Sequence, residues 1–181
     1  MGGTSKSTKS RSDKRRSGRS ESSKKSKGSS SGRAELHINR LFIVVYRGDP
    51  TDHSYLRHTA LFVSTDEGAQ SSLLHAIGEP GNFEFEEVWG AHDPSESQTF
   101  VGLVEVSVYE HKDVRVLQDC ISETRIRNDQ ATWDCQTFVT DALKRLKRKG
   151  HLHEDDFLNG FEGMMDMLET DNNLIDDDWE E

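Results

Sequence analysis

The sequence predicts an α+β domain: a five-stranded, mostly antiparallel sheet packed with helices. Three observations predict it. Apolar runs of strand length, punctuated by Gly, Asp and Pro, succeed one another between residues 36 and 109. Helical periodicity then takes over, at Val114, Leu117, Cys120 and Ile121 and again at Phe138, Val139, Ala142, Leu143 and Leu146. Strands first and helices afterwards is the order of an α+β fold, whereas alternation would signal a parallel sheet.

Each element has its own signal. Leu36 to Gly48 holds the longest apolar run, Leu41 to Tyr46, and ends at the turn Gly48-Asp49-Pro50. His58 to Val63 and Ser72 to Ile77 read as two strands of a hairpin, joined across Asp66-Glu67-Gly68. After the turn Gly78 to Gly81, Phe83, Phe85 and Val88 alternate around Glu84 and Glu86, as in a half-buried strand. Phe100 to Tyr109 is the fifth strand. Asp113 is the predicted cap of a first helix and Asp134 that of a second. Basic residues crowd the second helix's C-terminal end and Gly150 stops it. Cys120 falls on the apolar stripe of its helix, and Trp89 and Trp133 are expected as core or pocket-wall aromatics.

Charge divides the chain of 181 residues, net −10, into three. Residues 1–33 carry 11 Lys/Arg against 2 Asp/Glu and are otherwise mostly Ser and Gly, a composition expected to be disordered. Residues 34–153 contain nearly all the apolar content, enough for one modest core. Residues 154–181 hold 12 Asp/Glu and no Lys/Arg, and read as an acidic tail with a short docking helix around Phe157, Phe161, Met164 and Leu168. No apolar run approaches the roughly 18–20 residues that span a bilayer. A transmembrane domain and a large multidomain enzyme are thereby excluded. The basic residues of 6–27 suit contact with an anionic surface or nucleic acid, although the acidic middle does not. Two cysteines without a secretory leader point to the cytoplasm or nucleus. Neither a glycine-rich phosphate loop nor a zinc or EF-hand spacing is present, so no metal or cofactor is expected.

One constellation carries chemistry. Cys135 opens the best-marked helix, where unpaired N–H groups and the helix dipole favour a thiolate and suit a developing oxyanion. A cysteine nucleophile needs a base and a group that orients the base. His58 and His75 lie on the two strands of the predicted hairpin and are expected close together on one sheet face. Gln136 is a candidate oxyanion donor.

The segments Arg57 to Val63, Leu74-His75-Ala76-Ile77 and Trp133 to Val139 resemble the circularly permuted papain-like (NlpC-type) fold. They are similar to lecithin:retinol acyltransferase relatives, to PPPDE isopeptidases, and to uncharacterised fungal proteins with an Arg-His strand and a Trp-Asn-Cys-Gln segment. The likeness spans roughly residues 41–150. It implies a thiol hydrolase or acyl transferase with Cys135 as nucleophile, His58 as base and His75 as orienting group. The chain departs from the pattern at Asp134, where those proteins carry Asn, and at Thr137, where acyltransferase relatives carry His. A carboxylate beside a thiol opposes its ionisation. The expected substrate is a protein, a peptide or a small acyl or amide compound. The alternative is a non-catalytic module on the same scaffold, binding protein or peptide in the cleft with its charged tails as arms.

Overall fold

The computed structural model describes residues 35–66, 70–90 and 93–170. The basic residues 6–27, the centre of the Asp66–Gly68 turn and the acidic terminus beyond residue 170 lie outside them.

Five strands form one sheet in the order β4-β3-β2-β1-β5: β1 His37–Tyr46, β2 His58–Thr65, β3 Ser72–Ile77, β4 Glu84–Trp89 and β5 Phe100–His111. Every neighbouring pair is antiparallel. Cross-strand partners share a face, so Leu41, Ile43 and Val45 of β1 stand with Leu61 and Val63 of β2 and Leu74 of β3. That face is the core. Its side chains join Leu117 and Ile121, Phe138 to Leu146, and Met164 and Leu168 in one buried cluster. The other face carries Phe42, Val44, Ala60 and Phe62, with the rings of Phe42 and Phe62 6.2 Å apart.

The helices α1 (Val116–Ser122), α2 (Cys135–Lys149) and α3 (Glu154–Glu169) follow the strands, as the α+β order predicts. α2 forms for local reasons. The Asp134 side chain accepts from Thr137 N at its start, and Gly150, at φ 79°, closes its end in the left-handed region that disfavours a Cβ. Its five buried apolar residues are worth about 1.5–3 kcal/mol each where they are large aliphatic or aromatic. This stripe, rather than intrinsic propensity, holds the helix to the sheet.

Three expectations are corrected. α1 starts at Val116 rather than at Asp113, because the Asp113 carboxylate turns the chain by accepting from Arg115 N before the helix begins. Trp89 is half exposed, with the Arg115 guanidinium 3.5 Å over its ring, because β4 is an edge strand. The folded unit does not stop at residue 153. α3 is the longest helix among the described residues, and it buries Phe157, Gly160, Met164 and Leu168. Its glycines allow close approach to β5: a Cβ on Gly163 would lie 2.9 Å from Val104 Cγ1.

Candidate active site

Alternation along β2 places its side chains. Arg57, Thr59 and Leu61 point to the helical side, and His58 points to the other, beside its cross-strand partner Tyr46. Their rings stack with centroids 6.1 Å apart. The β2–β3 ladder runs from Val63/Ser72 to Leu61/Leu74 and goes no further. Beyond it the two strands are linked through their histidines, with His58 Nε2 2.8 Å from His75 Nδ1. The expected juxtaposition of His58 and His75 on one sheet face is therefore present.

A third member of the chain was not anticipated. Glu86 of β4 is the register partner of His75, and its Oε2 lies 2.9 Å from His75 Nε2. The turn centred on Pro80-Gly81 reflects residue 75 onto residue 86, as it does 77 onto 84. Hairpin symmetry was the signal that could have found it.

This chain of contacts assigns the protons. An ionised carboxylate only accepts, so His75 Nε2 carries the hydrogen. A neutral imidazole has one N–H, so His75 Nδ1 accepts and His58 Nε2–H donates. The lone pair of His58 is left on Nδ1, the ring nitrogen nearer its own main chain. Burial, and then the neighbouring His75, push the His58 pKa down to about 4, so the ring is neutral at pH 7. Burial also lowers His75, against the hydrogen bond and charge of Glu86, which raise it.

Cys135 reaches the same strand from the helical side. Trp133, 2% exposed, anchors the approach, its ring edge-on to Phe83 and Phe138. Asp134 caps the helix through Thr137 N and Thr137 Oγ1, both at 2.8 Å. The cysteine is partly exposed, and its Sγ donates a long contact of 3.9 Å to Arg57 O. Burial pushes the thiol's pKa up; the Thr59 main-chain N–H and hydroxyl, both able to donate to an ionised sulfur, pull it down, and the Asp134 charge pushes it up again. The sulfur thus lies against the main chain on both sides of His58. Its hydrogen bond goes to Arg57 O, and none joins it to the imidazole.

Gln136 does not serve as the expected oxyanion donor. Its Nε2 donates to Ser54 O at 2.8 Å and Arg57 O at 3.1 Å, which occupies both amide hydrogens. These carbonyls bracket a short 3-10 turn, Ser54–Leu56; Ser54 O also accepts from Arg57 N, and Arg57 O also meets the Cys135 sulfur. Asp134 holds the N–H groups of Thr137 and Phe138, which leaves those of Cys135 and Gln136 as the first-turn donors of that kind. Arg57, 2% exposed, braces the same corner. Its guanidinium takes both oxygens of Asp52 at 2.8 Å and donates to Met167 O and Leu168 O at the end of α3.

A cleft of about 520 Å³ opens on the His58 side, walled by Tyr46, Arg47, His75, Asp93 and Glu96. Cys135 stands outside that wall, behind the His58 main chain. No group of three or more His, Cys, Asp or Glu among the described residues is arranged to hold a metal ion, His151 and His153 included.

Fold and site together define an α+β protein in which a His-His-Glu chain and a helix-start thiol flank the same strand end from opposite sides. This chain belongs to the family of unknown function DUF6540, whose model matches residues 41–153, more than half of its length. Cys135, His58, His75 and Glu86 all fall inside that span; α3 falls outside it. No curated protein and no solved structure matches the chain.

Proposed function

We propose that this protein is a cysteine-dependent hydrolase or acyl transferase on a permuted papain-like scaffold, acting on an amide, isopeptide or ester carbonyl. The observation that carries the reading is the His58–His75–Glu86 chain, with His58 Nε2 2.8 Å from His75 Nδ1 and His75 Nε2 2.9 Å from Glu86 Oε2. It leaves a neutral imidazole with its lone pair on Nδ1, beside the stretch of main chain that the Cys135 sulfur touches.

In the proposed reaction the thiol, which rests behind the His58 main chain, moves round the strand end and passes its proton to His58 Nδ1. Such catalytic hydrogen bonds are often long in the absence of substrate. The thiolate attacks the carbonyl carbon, and the oxyanion forms at the N–H groups of Cys135 and Gln136 at the start of α2. Protonated His58 gives its proton to the departing amine or alcohol, leaving an acyl thioester. Water or an acceptor amine, deprotonated by His58, then attacks the thioester and releases the thiol. His75 and Glu86 hold the ring orientation and favour the transient imidazolium. Two free thiols suit a reducing compartment, the cytoplasm or nucleus. No helix among the described residues is long and apolar enough to cross a membrane.

The second reading, a binding module that has lost catalysis, is favoured by three observations: the sulfur has no imidazole partner among the described residues, it stands outside the cleft, and burial opposes its ionisation. Labelling with iodoacetamide, followed by peptide mass mapping, separates the two. Catalysis requires Cys135 to react near neutral pH well ahead of the buried Cys120, and to lose that advantage in His58→Ala. Equal, slow labelling of both cysteines would leave the binding module as the better account.

A further inference from the structure

A reaction that moves the Cys135 proton onto His58 leaves a negative charge on sulfur, in a half-buried place beside the Asp134 cap. Something must hold that charge. The Arg57 guanidinium is committed to Asp52 and the end of α3, and the Arg57 carbonyl that meets the thiol is itself an acceptor. A carbonyl oxygen suits S–H and repels S⁻.

Thr59 is the polar side chain left over at this point. It is 0% exposed, and its Oγ1 has no hydrogen-bond partner among the described residues. The side chain projects to the helical side of β2, between Arg57 and Leu61 in a row that is otherwise apolar toward Val63. Its cross-strand partner is Val45. Valine would fill the same volume in such a row without burying a lone oxygen, so the hydroxyl is a cost to folding with no return in the thiol state. A thiol is a poor acceptor and a thiolate a strong one.

We infer that Thr59 is the thiolate partner of Cys135: its hydroxyl, together with its main-chain N–H, receives the charge on Sγ once the proton has gone to His58. No bond breaks at Thr59; the hydroxyl turns its hydrogen to the sulfur and turns away when the acyl thioester forms. The same two groups are what pull the thiol's ionisation back toward neutrality against burial and Asp134. The inference rests on the proposed thiol chemistry for its purpose, though not for its test.

The test is the pH–rate profile of Cys135 alkylation by iodoacetamide in the full-length protein, with Cys120 as internal reference, in wild type, Thr59→Val, Thr59→Ser, Thr59→Ala and His58→Ala. A charge-assisted hydrogen bond predicts that Thr59→Val moves the midpoint up by about one pH unit, roughly tenfold slower labelling at pH 7. Thr59→Ser restores the wild-type profile within about twofold, and the melting temperature of Thr59→Val is at or above that of wild type. Should the valine variant fail to fold, the alanine and serine variants make the same comparison. An unmoved midpoint in the valine or alanine variant, or a serine variant that behaves like valine, overturns the inference. If His58→Ala leaves the profile unchanged while the Thr59 variants shift it, the thiolate contact stands and the catalytic reading falls. The opposite pattern removes Thr59 and keeps His58.

Discussion

Glu86 and His75 face one another across the β3–β4 ladder, and the carboxylate meets the ring nitrogen Nε2 at 2.9 Å. Through that contact an edge strand reaches the site: Glu86 orders His75, and His75 orders His58.

The first expected outcome follows directly. Glu86 raises the His75 pKa against burial, so Glu86→Leu drives it lower still and frees the ring to take the other tautomer. Imidazole resonances followed by NMR across pH 4 to 8 report this. A His75 titration that moved upward in the variant would contradict the proton order assigned here.

Acid stability is the second. The folded His58 pKa is near 4 against an ordinary 6.5. Between those values the unfolded chain binds a proton that the folded chain refuses, so stability falls as pH drops from 6.5 toward 4. His75 is lowered too and adds in the same direction. Urea melts at a series of pH values should show a shallower acid loss in His58→Gln than in wild type; parallel curves would count against a buried neutral His58.

A third concerns the brace at Arg57. Arg57→Met strands Asp52 and the carbonyls of Met167 and Leu168, and should cost about 3–5 kcal/mol, as removal of one partner from a buried pair does. Arg57→Lys should recover only part, because an ammonium cannot bind Asp52 bidentately. Denaturant titration measures both. Amide exchange over residues 164–169 should rise first, since that end of α3 loses its cap.

The α3–β5 contact supplies the fourth. Gly163→Val drives a branched side chain into Val104, whose Cγ1 is already 2.9 Å from a bare Cβ. A loss of about 1–3 kcal/mol is expected. Gly102→Ala meets only the flexible end of Met167, at 2.7 Å from Sδ, and should cost less. Equal losses in the two variants would show that α3 does not pack on β5 as described.

Much of the fold is legible in the sequence. The cap at Asp134, the stripe of α2 and the stop at Gly150 follow from local chemistry, and the structure has all three. The meeting of His58 and His75 was readable because two strands a short turn apart leave few choices of register. Gln136 was misjudged because its partners, Ser54 O and Arg57 O, are some eighty residues distant, and spacing along the chain carries no trace of them. The docking helix around Phe157, Met164 and Leu168 is legible from its apolar spacing, whereas its full length and its seat on β5 are not, because that packing depends on two glycines matched to valines of β5.

Local periodicity and capping decide which residues of this protein become strand or helix, because those preferences act over a few neighbours. Which side of β2 each chemical group occupies is set elsewhere. Pairing with β1 sends His58 to one face and Thr59 to the other, and packing of α2 on the sheet brings Cys135 up to the backbone between them. Alternation makes that outcome depend on register, and register is settled by the core as a whole.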